Sequence, residues 1–484
     1  MSGYLKIGWA EADITPERPA LLSGMFHARL SEGVLDPLSA TACVLESAEA
    51  KSVIVSCDLL AISEELRDRV RDKLGSAVGD ELDPAVVLIH ATHTHTGPET
   101  RFPSPLAAHT ALGVGVELDY LPVETYVEFA AARIAEAIAE AWQKRKQAGI
   151  AYGIGDAVLG RNRRWVNQEG VSAKYGLVPP ASEGFSHVEG YEDHSLQVLA
   201  TYEPNGDLAG LIVNVPCPSQ LSESEFSVSA DYWYETRREL RHRFGEHLYI
   251  LAQCSAAGEL CPFPLFESAA YERMRMLKGQ TARQEIAMRI ADEVCALLPP
   301  ISQVIDYAPI LRHRVVKLDL PVNPLTAADA ASAGQEAEHL RAVYEKELGQ
   351  LEQDPMRRQK RWYVAASAAY RQMHWNQNVV NRLEHQKRNR SLPVEIHLLR
   401  LGDIALASNP FELYVDYGIR IKVRSPAVQT FLVQLAGGGT YLPSPKSLQG
   451  GGYGSIPANN PAGTEAGKQL VDKTVQGLRE LWDE

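Results

Sequence analysis

The sequence predicts a mixed, layered α/β fold, and three observations carry the prediction. Short β-rich runs, "KSVIVSCDLL", "AVVLIHATH", "LAGLIVNVP" and "HLYILAQCS", alternate with helical stretches such as "SEELRDRVRDKLG", "VETYVEFAAARIAEAIAEAWQKRKQ" and "DYWYETRRELRHRF", the order expected when strands and helices share one core. The runs near Ile54, Val87 and Ile212 are apolar on both parities, as strands covered on both faces must be. At 484 residues, with 45% hydrophobic and 23% charged side chains, the chain has the composition of a globular protein and the length to bury one large core or two ordinary ones. No Pro/Ser-rich linker and no internal repeat divides it, so residues 1–484 read as one unit.

Between residues 325 and 390 the texture turns polar and helix-prone. Pro355 interrupts this block, and proline cannot continue a helix, so two antiparallel helices are expected, a helical hairpin inserted into the α/β unit. After it, "VEIHLLRLGDIALAS" reads as two strands joined at Gly402-Asp403, which returns the chain to a sheet.

Charge and cysteine usage narrow the partners. A net charge of -13 disfavours polyanions, so nucleic acid is not expected as a partner. No apolar run of about 18 residues is present to span a bilayer. The opening "MSGYLKIGWAEADITPE" has no basic segment followed by an apolar one, as a secretory signal would. Six cysteines without a CxxC pair fit reduced thiols in a cytoplasm. The expectation is a cytoplasmic protein acting on a small molecule, with a homo-oligomeric state left open.

Chemistry concentrates in "LIHATHTHTGP", where three of the fourteen histidines fall within six residues. The strand pattern ends near His90. In extended chain, residues two apart share a face, so His93 and His95 point together and His90 points away. Paired imidazoles at the carboxyl end of a strand, where open α/β sheets gather their ligands, suit a metal ligand beside a general base. A polar turn with backbone-bonded histidines is the alternative. Zinc takes three or four protein ligands, and no HExxH or CxxC element supplies them locally, so the others must come from afar.

Distant segments offer candidates. Glu412 in "LASNPFELYVDYG" follows an apolar strand. Asn409, Pro410 and Glu412 also fit the N-cap, N1 and N3 positions of a predicted helix, which makes Glu412 a capping residue by spacing alone. "QLAGGGTYLPSPKSLQGGGYGS" sets Tyr441 and Tyr453 among seven glycines, a loop able to wrap a ligand but without the GK[ST] of a phosphate loop. "GRNRRWVNQ" clusters Arg161, Arg163 and Arg164, whose planar forks suit a carboxylate or another oxyanion. The thiols of "AQCSAAGELCP" read as buried and inert. No G-x-S-x-G elbow is present, which weakens a serine mechanism.

Taken in order, "IGWAEADITP", "LIHATHTHTGPE", "GRNRR", "LIVNVPCPSQ", "GELCP", "LASNPFELYVDYG" and "TYLPS" followed by "GGGYG" resemble the catalytic domain of the neutral/alkaline ceramidase family across nearly the whole chain. The resemblance implies a divalent metal, zinc first among the candidates, with His93, Glu412 and Tyr441 as ligands. It also implies His95 beside the metal, Tyr453 steadying an oxyanion, and Arg163 in the pocket. Arg164 and Cys261, the latter where the family has a serine next to the metal, would join Arg163 in contacting substrate. The sequence departs from the pattern at Pro218, where the family carries a ligating histidine; Cys217, Gln220 and His194 are the candidate replacements. The expectation is a single catalytic domain, without the immunoglobulin-like C-terminal domain of full-length members. The implied activity is hydrolysis of an amide-like, non-peptide C–N bond in a small polar or anionic molecule rather than ceramide. A metal-dependent lyase acting on uronates and a noncatalytic binding module that has lost its metal are the alternatives.

Overall fold

The structure is a computed structural model that describes residues 4–101, 114–172, 174–175 and 183–483. Three mixed β-sheets dominate it. In the first, Val87–Ala91, Lys51–Cys57, Ser39–Glu46, Lys6–Asp13 and Lys146–Gln147 lie side by side in that order. The second runs Tyr249–Cys254, Leu208–Val215, Ser195–Tyr202, Gly149–Asp156, and the third Leu311–Pro321, Ser391–Leu401, Ile404–Ser408, Gln429–Val433.

Each sheet is antiparallel except for one parallel pair: Lys51–Cys57 with Val87–Ala91, Leu208–Val215 with Tyr249–Cys254, and Ile404–Ser408 with Gln429–Val433. A parallel pair needs a crossover, and in each case a helix provides it: Glu64–Val78, Tyr232–Phe244 and Val415–Arg424 respectively. The fold therefore contains three β-α-β units. The carboxyl ends of these pairs are stitched to one another, since the Ala91 N–H donates to Leu435 O at 3.3 Å and the Gln434 N–H to Cys254 O at 3.1 Å.

The inner faces of all three sheets share one core, in which Trp9, Cys43, Ile54 and Leu88 of the first sheet meet Leu199, Ile212 and Leu251 of the second and Leu401, Ile404 and Phe431 of the third. The outer faces are covered by helices: Val123–Lys144 and Glu64–Val78 on the first sheet, Tyr232–Phe244 and Ala282–Ile301 on the second, and Val415–Arg424 and Thr464–Asp483 on the third. Burial on both faces is why these strands carry apolar residues at both parities, each such side chain contributing about 1.5–3 kcal/mol. The first helix layer lies close: a Cβ on Gly8 would stand 1.9 Å from Ala141 O.

The polar block forms the two expected helices, Ala327–Gln353 and Val364–Gln386, separated by a short 3-10 turn at Pro355–Arg357. The first starts at a capping box between Thr326 and Asp329. The second is fastened to the chain after Gly24: the Leu30 N–H donates to the Tyr363 hydroxyl at 2.9 Å, and the Ala28 N–H to Ser367 Oγ at 3.0 Å. Ser391–Leu401 and Ile404–Ser408 form the expected hairpin across Gly402-Asp403. Among the described residues, no helix is long and apolar enough to cross a membrane.

Candidate active site

The strand Val87–Ala91 stops two residues before the first histidine of interest. His93 then adopts a left-handed backbone, φ 68°, so the extended geometry expected from the sequence does not continue through it. The turn is anchored by the Thr92 N–H donating to Cys57 O at 2.9 Å. It brings His93 Nδ1 to 2.9 Å from Leu60 O. A carbonyl only accepts, so Nδ1 carries a proton, and in the neutral form of the ring Nε2 keeps its lone pair. Nε2 lies 3.5 Å from Glu412 Oε2 and 3.4 Å from His95 Nε2. His93 and His95 do meet, but through a tight turn, with ring planes nearly perpendicular at 82°. His90 points the other way into the core, where burial lowers its pKa to about 3.

Glu412 is not the helix cap that its spacing suggests. Glu412–Leu413 is instead a two-residue strand parallel to Tyr441–Leu442, with Glu412 and Tyr441 as register partners. The Asn409 carboxamide does organise a turn, accepting from the Phe411 N–H at 3.0 Å, but the helix begins three residues after Glu412, at Val415. Its first N–H, that of Val415, is met by Glu259, both of whose oxygens lie 3.0 Å from the Val415 nitrogen; burial raises this carboxyl to about 8. With a different residue taking the capping role, Glu412 is free to face His93. Burial alone would raise the Glu412 carboxyl, yet the charges of His93 and Arg163 and the Tyr441 hydroxyl hold it below the usual carboxylate range.

The two adjacent arginines part company. Arg163 lies behind the phenol, its Nη2 donating to Gly258 O at 2.8 Å and to the Tyr441 hydroxyl at 3.0 Å. Arg164 is taken by Glu189 in a two-point ion pair of 2.7 and 2.9 Å and donates to Tyr453 O at 2.6 Å. Neither guanidinium forms the cavity wall. Cys261 also stands off it, its thiol 3.6 Å from Phe263 O and raised to about 11 by burial. Tyr453 does line the cavity, its ring 5.5 Å from that of Tyr441.

On the far side of His95 the departure at Pro218 has a visible consequence. The chain turns there so that the Gln220 side-chain nitrogen comes 2.8 Å from His95 Nε2. Of the three candidate replacements, Gln220 is the one near the histidines. The Cys217 thiol is buried against Pro218 O at 3.6 Å, and His194 pairs with Glu192 at 2.9 Å. Glu223 Oε2 lies 3.5 Å from His95 Nδ1, at ion-pair distance but without hydrogen-bond alignment. Burial, followed by the charges of His93 and three arginines, holds the His95 pKa well below its usual value.

The cavity is small, about 100 Å³, and polar groups that the sequence did not single out complete its wall: Glu99, Arg101 and, from the helix Val364–Gln386, Arg371. Trp375 and Phe26 line the remainder. Among the described residues no group of three or more His, Cys, Asp and Glu side chains is gathered as a metal cluster. The convergence at His93 is a mixed set of imidazole, carboxylate and phenol. Two donors at roughly 2.1 Å from a tetrahedral ion stand about 3.4 Å apart, which is close to the 3.5 Å between His93 Nε2 and Glu412 Oε2. Chemically and by this spacing the set fits a divalent cation.

The layered α/β architecture is the fold of solved ceramidases. In particular, the chain is similar to a ceramidase solved in complex with C2, with a TM-score of 0.68 at 17% identity, covering 99% of this chain and 76% of that one. It is likewise similar to the neutral ceramidase from Pseudomonas aeruginosa, with a TM-score of 0.66 at 19% identity, covering 99% and 75%. At such identities the likeness establishes the fold. No family model matches the chain, and no curated protein does.

Proposed function

We propose that the protein is a metal-dependent hydrolase of an amide-like, non-peptide C–N bond in a small polar molecule. The observation that carries this reading is His93 Nε2, its lone pair left free by the Leu60 contact and aimed between Glu412 Oε2 and His95 Nε2. His93, Glu412 and Tyr441 would hold the cation, with zinc favoured by the imidazole. When bound, such an ion supplies Lewis acidity toward a carbonyl oxygen. Arg163 donates to the Tyr441 hydroxyl at 3.0 Å and would hold its oxygen in place. His95 would accept a proton and return it to the departing nitrogen, held in place by Gln220. Tyr453, on the cavity wall, would donate to the oxyanion. The likeness to proteins named ceramidases supports hydrolysis, while a small cavity with Glu99, Arg101 and Arg371 in its wall favours a compact polar group over a lipid.

The test is a panel of N-acylated amines and amino acids, with released amine measured in wild type and in His95→Ala. The expectation is amine release in wild type, reduced by about 10²–10⁴-fold in the variant. Amine release unaffected by the substitution, or formation of an unsaturated, ultraviolet-absorbing product in its place, would overturn the reading.

A further inference from the structure

We infer that Arg371, carried by the helix Val364–Gln386, is the carboxylate-binding group of this cavity, so that the substrate bears a carboxylate joined to a planar or apolar body. The inference refines the hydrolase reading, since it concerns the same cavity, but it depends on binding alone.

The three arginines conspicuous in the sequence are engaged elsewhere: Arg161 with Glu192, Arg164 with Glu189, and Arg163 with Gly258 O and Tyr441. Two cations remain on the cavity wall, Arg101 and Arg371. Arg101 is matched by Glu99 in a paired contact of 2.8 and 2.9 Å. Arg371 differs. Among the described residues its Nη1 donates only to carbonyl oxygens, His27 at 3.1 Å and Met25 at 3.5 Å. Its Nε is buried with no hydrogen-bond partner among the described residues. No carboxylate lies within ion-pair distance of it there, and Glu99, whose field reaches it, already spends both oxygens on Arg101. Arg371 is half-buried, but its Nε is enclosed, and an enclosed donor is costly unless an acceptor meets it; a carboxylate is the group that its fork matches in two bonds. Glu99 and Glu412 in the same small space would repel a doubly charged phosphate more strongly than a singly charged carboxylate.

The neighbours define the rest of the ligand. Trp375 follows Arg371 by four residues, and so shares its helix face. The Trp375 ring lies 5.3 Å from that of Phe26, which in turn meets Tyr453 edge-on at 5.5 Å. An aromatic strip thus leads from the anion end at Arg371 to the reacting end at Tyr453. A planar or aliphatic body lying on it would set the scissile bond against His95 at a fixed distance from the charge.

N-acetyl-L-phenylalanine and its uncharged carboxamide serve as probes, their binding to the full chain measured by calorimetry. Wild type is expected to bind the acid at least about tenfold more tightly than the carboxamide, the scale of one charged hydrogen-bonded contact. Arg371→Gln should bind both equally, and Arg371→Lys should recover part of the preference. Equal binding by wild type, no binding of either probe, or a preference that survives in Arg371→Gln would overturn the inference. Should Arg371→Gln fail to fold, a preference in Arg371→Lys equal to that of wild type would overturn it as well. A chain that keeps the acid preference yet hydrolyses no amide would refute the hydrolase reading and leave this one standing.

Discussion

Gly24 has φ 96°, and a Cβ added to it would stand 2.6 Å from the His95 ring. The residue is thus both a backbone device and the floor beneath an imidazole. Gly24→Ala should leave the melting temperature within a few degrees of wild type. It should lower kcat/KM by roughly 10²-fold, the effect of displacing a reacting group by about 1 Å. Unchanged turnover would show that the ring is not held from below. His93 and His95 could be picked out of the sequence because they sit in a polar turn directly after an apolar run, whereas Glu412, Tyr441 and Tyr453 took a site role only from the family resemblance. Arg371 and Trp375 could not be. They lie in a polar helix in which every turn offers a charge, and only the docking of that helix near Phe26 gives them a role. Arg163 and Arg164 looked equivalent, yet adjacent residues in extended chain project to opposite sides, which sends one to Tyr441 and the other to Glu189.

Among the elements, the loop bearing Tyr453 depends on the Arg164–Glu189 pair. Arg164 donates to the carbonyls of Tyr453 and Gly451, both at 2.6 Å, while Glu189 accepts from Ser172 and Ser447. The pair is almost fully enclosed, with side-chain exposures of 3% and 4%. Breaking it with Glu189→Gln should cost about 3–5 kcal/mol, because it leaves a buried cation uncompensated. Burial acts to raise the Glu189 carboxyl, but the bonds to Arg164 outweigh it and the folded-state pKa lies below the ordinary value of 4.5. The unfolded chain therefore takes up its proton first as pH falls. The stabilisation is complete above the unfolded value and is lost as pH drops through the folded one. Melting curves of wild type and Glu189→Gln should be furthest apart at neutral pH and converge in acid. A gap that widens below pH 4 would contradict this assignment. The sequence misled at a neighbouring element for a related reason. Asn409-Pro410 with Glu412 has the spacing of a capping box, but the helix starts at Val415 and takes its cap from Glu259, 156 residues earlier in the chain, a partner that local spacing does not encode.

For the molecule as a whole, the site exists because three β-α-β units direct the carboxyl ends of their parallel strands to one place. Asp58, at the end of Lys51–Cys57, is the tie between two of them. It accepts from Arg237 Nη1 and Nη2 at 2.7 and 3.0 Å, and from the Ser39 N–H at 2.9 Å. Arg237 belongs to the crossover helix of the second sheet, so the pair locks the first unit to the second just before Leu60, which orients His93. Asp58→Asn should destabilise the fold by about 3–5 kcal/mol and lower catalytic turnover in the molecules that remain folded; equal stability in urea titrations would contradict this. Alternating strands and helices were legible in the apolar runs. The division into three sheets was not, because periodicity reports that a strand is buried and not which strand it joins. The measurement that bears most directly on the account is metal binding. Elemental analysis and zinc titration of wild type should give one ion per chain, with affinity lowered at least about tenfold in His93→Ala and Glu412→Gln. A wild-type chain that binds no ion, or variants that bind it equally well, would contradict the central claim.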